Sequence, residues 1–187
     1  MSRFIQKIKR NSLTTGVALL CAGLGNRIKS NEPRSLIKIG GSCLLNWQLD
    51  ALSSMFVKPN ILVGVGVESQ KIMKRFSGQV SFVENQLYET TGSFETLRLL
   101  VNASTDDSIL LVHGDLYFNS DILETADFSK SFVVLDTTNS IADREVGMTM
   151  VNEKVSILSY GLKDKWAQMA FFTGKELAML RQLCYKA

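Results

Sequence analysis

The sequence has 187 residues, of which 45% are apolar and 21% are charged, so it is long and apolar enough to fold around a hydrophobic core. Its 21 lysines and arginines nearly balance its 18 aspartates and glutamates, which gives no indication of a nucleic-acid partner. It contains no run of about 18 apolar residues that could span a membrane, and the apolar run after its basic start is too short for a signal peptide. We therefore expect a cytoplasmic protein with an N-terminal arm at 1–14 and a single domain at 15–187.

The cysteine and histidine content limits the chemistry that is available. The three cysteines are widely spaced and form no CxxC pair, so neither a disulfide framework nor a zinc site is indicated. The sequence has one histidine, His113, which excludes a multi-histidine metal site. We expect His113 to be a packed residue at a strand end rather than a catalytic base. A bound metal would then be a hard cation held by carboxylates, with Mg²⁺ as the leading choice.

The first two thirds of the sequence alternate between buried strands and helices. Continuous apolar runs are typical of parallel strands that are covered on both faces, and apolar residues at helical spacing predict the helices between them. The predicted elements are a strand at 17–22, a short segment at 36–39, a helix that Ser42 caps and that ends at 55, a strand at 61–67, a helix at 69–76, a strand at 80–84, a helix at 92–101 and a strand at 109–113.

Short strands dominate the sequence after residue 131. They are predicted at 132–135, at 148–151 and 155–158 as a hairpin, and at 166–172, before a closing helix at 174–183. Strands that alternate with helices predict a three-layer α/β/α sandwich with a mostly parallel, mixed sheet. Ligands bind such sheets at the carboxyl ends of the strands. The loops that follow the first strand and the strand at 109–113 are therefore expected to form one site.

The loop after the first strand has features of a phosphate-binding loop. Gly23 and Gly25 allow the backbone to approach a ligand closely and to offer its N–H groups to phosphate oxygens. Arg27 and Arg34 add positive charge beside these donors, which suits a triphosphate. The loop lacks the lysine and hydroxyl residue of a Walker loop and the third glycine of a dinucleotide-binding motif.

The second loop places Gly114 and Asp115 directly after a buried strand. A carboxylate in this position can hold a divalent cation that bridges phosphate oxygens, or it can accept hydrogen bonds from backbone N–H groups in a turn. Further along the chain, Lys163, Lys165 and Trp166 fit either an acceptor pocket, in which the tryptophan faces a quaternary ammonium, or an exposed hairpin end with a packed tryptophan.

The segment 17–45 resembles the N-terminal signature of the nucleotidyltransferases that activate phosphosugars and phosphocholine. The family shows LAAGxGxR, a loop with Pro-Lys and a Gly-x-Pro-Leu-Leu turn, and the matching segments here read LCAGLGNR, EPRSLIKI and GGSCLL. Gly114-Asp115 matches the family's metal-binding pair, and 82–97 resembles its strand, asparagine and turn before a helix. The resemblance covers most of 15–175 in order and spacing, and is closest to the small cytidylyltransferases that act on phosphocholine.

The resemblance implies a nucleotide-diphosphosugar transferase-like fold and a Mg²⁺-dependent reaction. A phosphorylated sugar or alcohol would attack the α-phosphorus of a nucleoside triphosphate, with CTP favoured, and would release pyrophosphate; the oligomeric state is left open. The residues that the resemblance assigns to catalysis are Arg27, Arg34 and Asp115, and Asp115 would also hold the metal. The residues that it assigns to nucleotide binding are Leu20, Ala22, Gly23, Gly25, Asn26, Asn85, Gly92 and Ser93.

Two departures from the family pattern leave other functions open. Arg34 stands where the family has lysine, and the second metal-binding acid that the family carries near its C-terminus has no match here, since Asp164 is not expected to replace it. We therefore expect a domain that is short at its C-terminus. One alternative is a nucleotide-sugar-dependent glycosyltransferase, although Asp115-Leu116-Tyr117 lacks the second aspartate of a DxD motif. Another alternative is a catalytically degenerate domain that binds nucleotide without turnover.

Overall fold

The computed structural model describes residues 14–23, 32–139 and 145–186. Within these ranges it contains ten strands, four helices and two short 3₁₀ turns, at Arg34–Leu36 and Ser120–Leu123. The strands are β1 (Thr15–Leu20), β2 (Lys38–Ile39), β3 (Ser42–Cys43), β4 (Asn60–Val65), β5 (Ser81–Glu84), β6 (Ser108–His113), β7 (Phe132–Asp136), β8 (Val146–Val151), β9 (Lys154–Tyr160) and β10 (Asp164–Thr173). The helices are α1 (Leu44–Met55), α2 (Ser69–Arg75), α3 (Ser93–Ala103) and α4 (Gly174–Lys186).

The main sheet is mixed and is built around four parallel strands. Its order is β5-β4-β1-β6-β10-β8-β9, and β7 pairs with β10. β5, β4, β1 and β6 are parallel neighbours, whereas β10 runs antiparallel to β6, β7 and β8. Because parallel strands end at the same edge, the loops after β1, β4, β5 and β6 share one rim of the sheet.

Helices cover both faces of the sheet and give the three layers that the sequence predicts. On β1, Val17 and Leu19 belong to the core cluster that contains the buried side chains of α1 and α2. The alternate residue Ala18 belongs to the cluster beneath α3 and α4. This two-residue alternation places one side chain in each core in turn, so the strand is apolar throughout.

The predicted strands and helices are present, with shifts of a few residues at their ends. The prediction that Ser42 is the N-cap of the first helix is wrong, because α1 begins at Leu44 and its N-cap is Cys43. Gly40 and Gly41, both at positive φ, close a hairpin in which Ser42 pairs with Ile39. The single domain at 15–187 stays a prediction, and no helix among the described residues is long and apolar enough to cross a membrane.

The larger core cluster contains a group of aromatic rings that locks β10 to its neighbours. The ring of Phe171 is fully buried, is stacked on Phe132 with 5.3 Å between centroids and meets Phe128 edge-on at 5.1 Å. Such pairs stabilise a core beyond the area that they bury.

We expect Phe171→Ala to lower the free energy of unfolding by about 3–5 kcal/mol, because it removes a large side chain from a closed core. Phe172→Ala is the matched control: this neighbour is only partly buried and packs against the other core cluster. Urea unfolding followed by circular dichroism measures both variants. Equal losses in the two variants would contradict the central role of Phe171.

Candidate active site

A cleft of about 510 Å³ lies at the rim where the parallel strands end. It is formed by the loops after β1 and β6, the turn between β5 and α3, and the 3₁₀ turn that begins at Arg34. The described residues that line it are Leu20, Cys21, Ala22, Gly23, Arg34, Ser35, Asn85, Tyr88, Glu89, Thr91, Gly92, Ser93, Thr96, His113, Gly114, Asp115 and Gln168.

Close contact between two loops forms the floor of the cleft. The N–H of Gly114 donates to the carbonyl oxygen of Leu20 at 2.9 Å, one residue beyond the last paired residues of β1 and β6. A Cβ atom on Gly114 would lie 2.6 Å from that oxygen and 2.6 Å from the Sγ of Cys21. Only glycine fits this position without moving the backbone, which explains the glycine that precedes Asp115.

Arg34 and Asp115 form an ion pair across the cleft. Nη1 of Arg34 donates to Oδ2 of Asp115, and the two side chains are 28% and 32% exposed. The Nε atom of Arg34 is buried and has no hydrogen-bond partner among the described residues. Two residues that lie 81 positions apart in the sequence, and that the resemblance assigns to catalysis, are thus in direct contact.

A buried glutamine fixes the loop that carries Asp115. Gln48 on α1 is fully buried, and its Nε2 donates to the carbonyl oxygens of His113 at 3.0 Å and Leu116 at 2.7 Å. These two carbonyls flank Asp115 on either side. The Gln48 amide therefore holds the turn from His113 to Leu116 in place, and with it the Asp115 carboxylate at the rim of the sheet.

Asn85 has a similar structural role on the opposite wall. Its Nδ2 donates to the hydroxyls of Thr91 and Thr96, both at 3.1 Å, and its Oδ1 accepts the N–H of Leu87 at 3.0 Å. The side chain is 1% exposed. These bonds tie the turn after β5 to the first turns of α3, and they occupy both ends of the amide.

Burial controls the protonation of two groups beside Asp115. It raises the pKa of the Cys21 thiol to about 12, and the negative charge of Asp115 adds to this increase. It lowers the pKa of His113 below its ordinary value, although Asp115 opposes the decrease. Both groups are therefore neutral near pH 7. Arg34 is then the one positive side chain among the described lining residues.

The structure brings most of the predicted site residues into this single cleft. Those that line it are Leu20, Ala22, Gly23, Arg34, Asn85, Gly92, Ser93 and Asp115. Gly25, Asn26 and Arg27 lie outside the described residues. The roles in binding and catalysis that the resemblance assigns to all of these residues stay predictions.

The second group of residues that the sequence singled out has structural contacts of its own. Trp166 donates its Nε1–H to the carbonyl oxygen of Met169 at 3.1 Å and meets the His113 ring edge-on, with 5.3 Å between centroids. Lys165 pairs with Glu145 at 2.6 Å. These contacts fit the interpretation of Trp166 as a packed tryptophan and of Lys165 as part of a hairpin end.

Sequence reasoning missed two glutamines of the site. Gln48 lies three residues after Leu45 and four before Leu52, so it is a polar residue on the apolar stripe of α1. That position is a signal that could have found it. Gln168 lines the cleft at a positive φ of 59° where the register of β10 shifts, and no feature of the sequence indicates this.

Comparisons with known proteins show which families and proteins this chain is similar to. The family model described as "MobA-like NTP transferase domain" matches residues 17–127, which span the cleft-forming loops. The bifunctional enzyme IspD/IspF of Tropheryma whipplei is 23% identical over 165 residues, which cover 84% of this chain and 36% of that protein. The chain thus spans about a third or less of the length of the curated relatives that it matches.

Solved structures show the same fold. A CTP:phosphocholine cytidylyltransferase from Streptococcus pneumoniae superposes with a TM-score of 0.70 at 19% identity, over 94% of this chain and 78% of that one. An inositol-1-phosphate CTP transferase from T. maritima also gives a TM-score of 0.70, at 14% identity, over 91% of this chain and 74% of that one. The nucleotide-diphosphosugar transferase-like fold is confirmed.

We expect Gly114→Ala to lower the free energy of unfolding by about 1–3 kcal/mol, because the new methyl group would push the loop away from Leu20 and Cys21. Gly23→Ala is the matched control, since no described atom lies within 4 Å of a Cβ built there. We expect it to stay within about 0.5 kcal/mol of the wild type. Thermal and urea unfolding measure both variants, and an unaffected Gly114→Ala protein would contradict the steric argument.

Proposed function

The chain belongs to the MobA-like NTP transferase domain family, and from this premise we propose that it transfers a nucleoside monophosphate from a nucleoside triphosphate to an acceptor phosphate. The acceptor would be a phosphorylated sugar or alcohol, and pyrophosphate would leave. The family is an enzyme family, and the resemblance to nucleotidyltransferases is confirmed. The contact between Arg34 and Asp115 at the strand ends carries the proposal, because it joins a phosphate-binding cation and a metal-binding carboxylate in one cleft.

The described residues have distinct tasks in this reaction. Backbone groups from Leu20 to Gly23 would hold the base and ribose, with Gly92 and Ser93 on the facing wall. The Arg34 guanidinium would neutralise the phosphates with its planar set of N–H donors. An acceptor oxygen attacks the α-phosphorus in line with the leaving pyrophosphate, so positioning and charge neutralisation provide most of the rate enhancement.

The donor set at Asp115 fits a magnesium ion that arrives with a nucleotide. The described residues contain no group of three or more histidine, cysteine, aspartate or glutamate side chains that could enclose a metal. Mg²⁺ in nucleotide-dependent enzymes is bound by one or two carboxylates together with substrate phosphates and water. Asp115 would be the carboxylate in that set. When bound, the ion would neutralise charge on the phosphates.

The charge of the cleft also supports a requirement for a cation. Among the described lining residues, Arg34 is opposed by the carboxylates of Asp115 and Glu89. A triphosphate carries several negative charges and would not be attracted to such a surface. Mg²⁺ would supply part of the missing positive charge. Arg27 would supply the rest, since the sequence places it in the loop that leads to Arg34.

We extend the proposal to CTP as the nucleotide and to a phospho-alcohol such as phosphocholine as the acceptor. Support comes from the two solved structures above, both of which are named as transferases that use CTP. The three cysteines are buried and free, as a reducing compartment allows, and nucleoside triphosphates are made in the cytoplasm, so we place the reaction there.

A second candidate function is nucleotide binding without turnover. One observation favours it: the part of the chain that the structure describes contains no group of three or more histidine, cysteine, aspartate or glutamate side chains that could hold a metal. Release of pyrophosphate separates the two functions. A protein that binds a triphosphate with Mg²⁺ but releases no pyrophosphate with any phosphorylated acceptor would be the degenerate form.

We expect CTP with Mg²⁺ to raise the melting temperature more than UTP, GTP, ATP or dTTP under the same conditions. A ligand at 100 times its dissociation constant adds about 2.7 kcal/mol to the stability of a folded protein. A thermal-shift panel with and without Mg²⁺ makes the comparison. A different nucleotide with the largest shift would overturn the choice of CTP, and no shift with any nucleotide would argue against the proposed site.

We expect Asp115→Asn to reduce the rate of pyrophosphate release by at least about 100-fold, because the amide does not neutralise a cation. Its stability should change by less than about 1 kcal/mol, since the ion pair with Arg34 is partly exposed. Asp121→Asn, at an exposed aspartate in a 3₁₀ turn outside the cleft, is the matched control. Near-normal turnover by Asp115→Asn would exclude a metal role for this residue.

A further inference from the structure

We propose that Arg34 masks Asp115 when no nucleotide is bound, so that a divalent cation alone is kept out and the metal site opens only when a polyphosphate takes Arg34 away. The proposal rests on the proposed function, because it concerns the order in which that site is filled. It assigns Arg34 a second task, which is to couple the metal site to the occupancy of the phosphate site.

The contact that carries the proposal is the pairing of Arg34 with Asp115. Nη1 of Arg34 lies against Oδ2 of the carboxylate, where a cation bound to Asp115 would also have to approach. The guanidinium cannot lose its proton at any relevant pH, so it masks the carboxylate permanently unless it moves. A cation must therefore displace the permanently charged guanidinium of Arg34 before it can bind Asp115.

The pairing with Asp115 uses only part of the hydrogen-bonding capacity of the Arg34 guanidinium. Its Nε is buried without a hydrogen-bond partner among the described residues, although Nη1 is engaged. A buried donor without an acceptor destabilises the conformation that contains it. A polyphosphate offers several charged oxygens to a planar set of five N–H donors, which a single carboxylate oxygen does not match. A polyphosphate would therefore bind more of the N–H donors of Arg34 than the single Asp115 oxygen does.

Among the described lining residues, Arg34 is the one arginine or lysine. Asp115 itself is held by the Gln48 clamp on the two flanking carbonyls, so the aspartate stays in place when the arginine leaves. Arg34 is therefore the moving partner, and its departure frees the carboxylate in its working position.

The consequence is thermodynamic coupling between the two ligands. A polyphosphate that binds Arg34 removes the masking charge and strengthens metal binding, and by linkage a metal on Asp115 strengthens polyphosphate binding. The coupling prevents the cleft from being blocked by a metal ion that has no substrate.

Manganese binding to the full chain in the absence of nucleotide tests the masking directly. We expect Arg34→Gln to bind Mn²⁺ alone at least about tenfold more tightly than the wild type, because the variant removes one positive charge at contact distance from the site. The same variant should bind metal-free inorganic tripolyphosphate more weakly. Electron paramagnetic resonance of free Mn²⁺ gives the first affinity, and calorimetry gives the second. A variant that had merely lost its fold would not move the two affinities in opposite directions.

Two control variants show where the manganese binds. Arg34→Gln combined with Asp115→Asn should lose the gain, because the unmasked carboxylate is gone. Arg98→Gln breaks another arginine–carboxylate pair, with Glu95 on α3, whose two residues do not line the cleft, and it should leave Mn²⁺ affinity unchanged. The proposal is overturned if Arg34→Gln shows no gain, if the double variant keeps the gain, or if Arg98→Gln shows the same gain.

The result is independent of whether the protein is a nucleotidyltransferase. Mn²⁺ and tripolyphosphate carry no base and no acceptor, so the masking contact is measured without turnover. If the gain is present but no nucleoside triphosphate shifts the melting temperature, the proposed function fails and the masking stands. If nucleotide binding and turnover are present without the gain, the masking fails and the proposed function stands.

Discussion

The close approach of the two loops that follow β1 and β6 determines the rest of the site. The parallel register pairs Leu20 with His113, and the next residue, Gly114, turns back onto the carbonyl oxygen of Leu20 in a space that admits no side chain. This contact fixes where the chain leaves the sheet. Asp115 follows immediately and therefore reaches the same rim as Arg34, which follows β1 by a longer route. The geometry of the site thus depends on the pairing of β1 with β6 and on the absence of a side chain at Gly114.

Two buried side-chain amides, those of Gln48 and Asn85, hold the loops at the rim of the sheet in place. The charged groups at this rim are on other residues, Arg34 and Asp115. Gln48 reaches from α1 to two carbonyls around Asp115, and Asn85 joins the opposite turn to α3. Because Gln48 is fully buried, water does not compete for its two hydrogen bonds to this turn. Preorganised donors and charges are worth more in a cleft than mobile ones, because they need no reorganisation during the reaction.

The sequence was sufficient for the architecture and for the position of the candidate cleft, because each depends on a periodic or topological rule. Apolar runs and helical stripes predicted the strands and helices, and the carboxyl-end rule placed the loops after β1 and β6 together. Side-chain contacts follow no such rule. The residue type of Ser42 indicates a helix N-cap, but its backbone pairs with Ile39 in the hairpin that Gly40 and Gly41 close. The unusual φ of Gln168 arises from a register shift in β10, which only the paired neighbours determine.

Arg34 stands where the resemblance predicts a lysine, and this difference bears on the scarcity of positive charge among the described lining residues of the cleft. A lysine ammonium is a compact point charge that water solvates well, whereas a guanidinium is planar, weakly hydrated and able to contact two anions along different edges. Among the described lining residues, Arg34 is the one arginine or lysine, so it would serve both the Asp115 carboxylate and an incoming anion. When the guanidinium turns from Asp115 to an incoming anion, the carboxylate becomes free to bind a cation. Each residue of the pair therefore responds to the charge of a ligand.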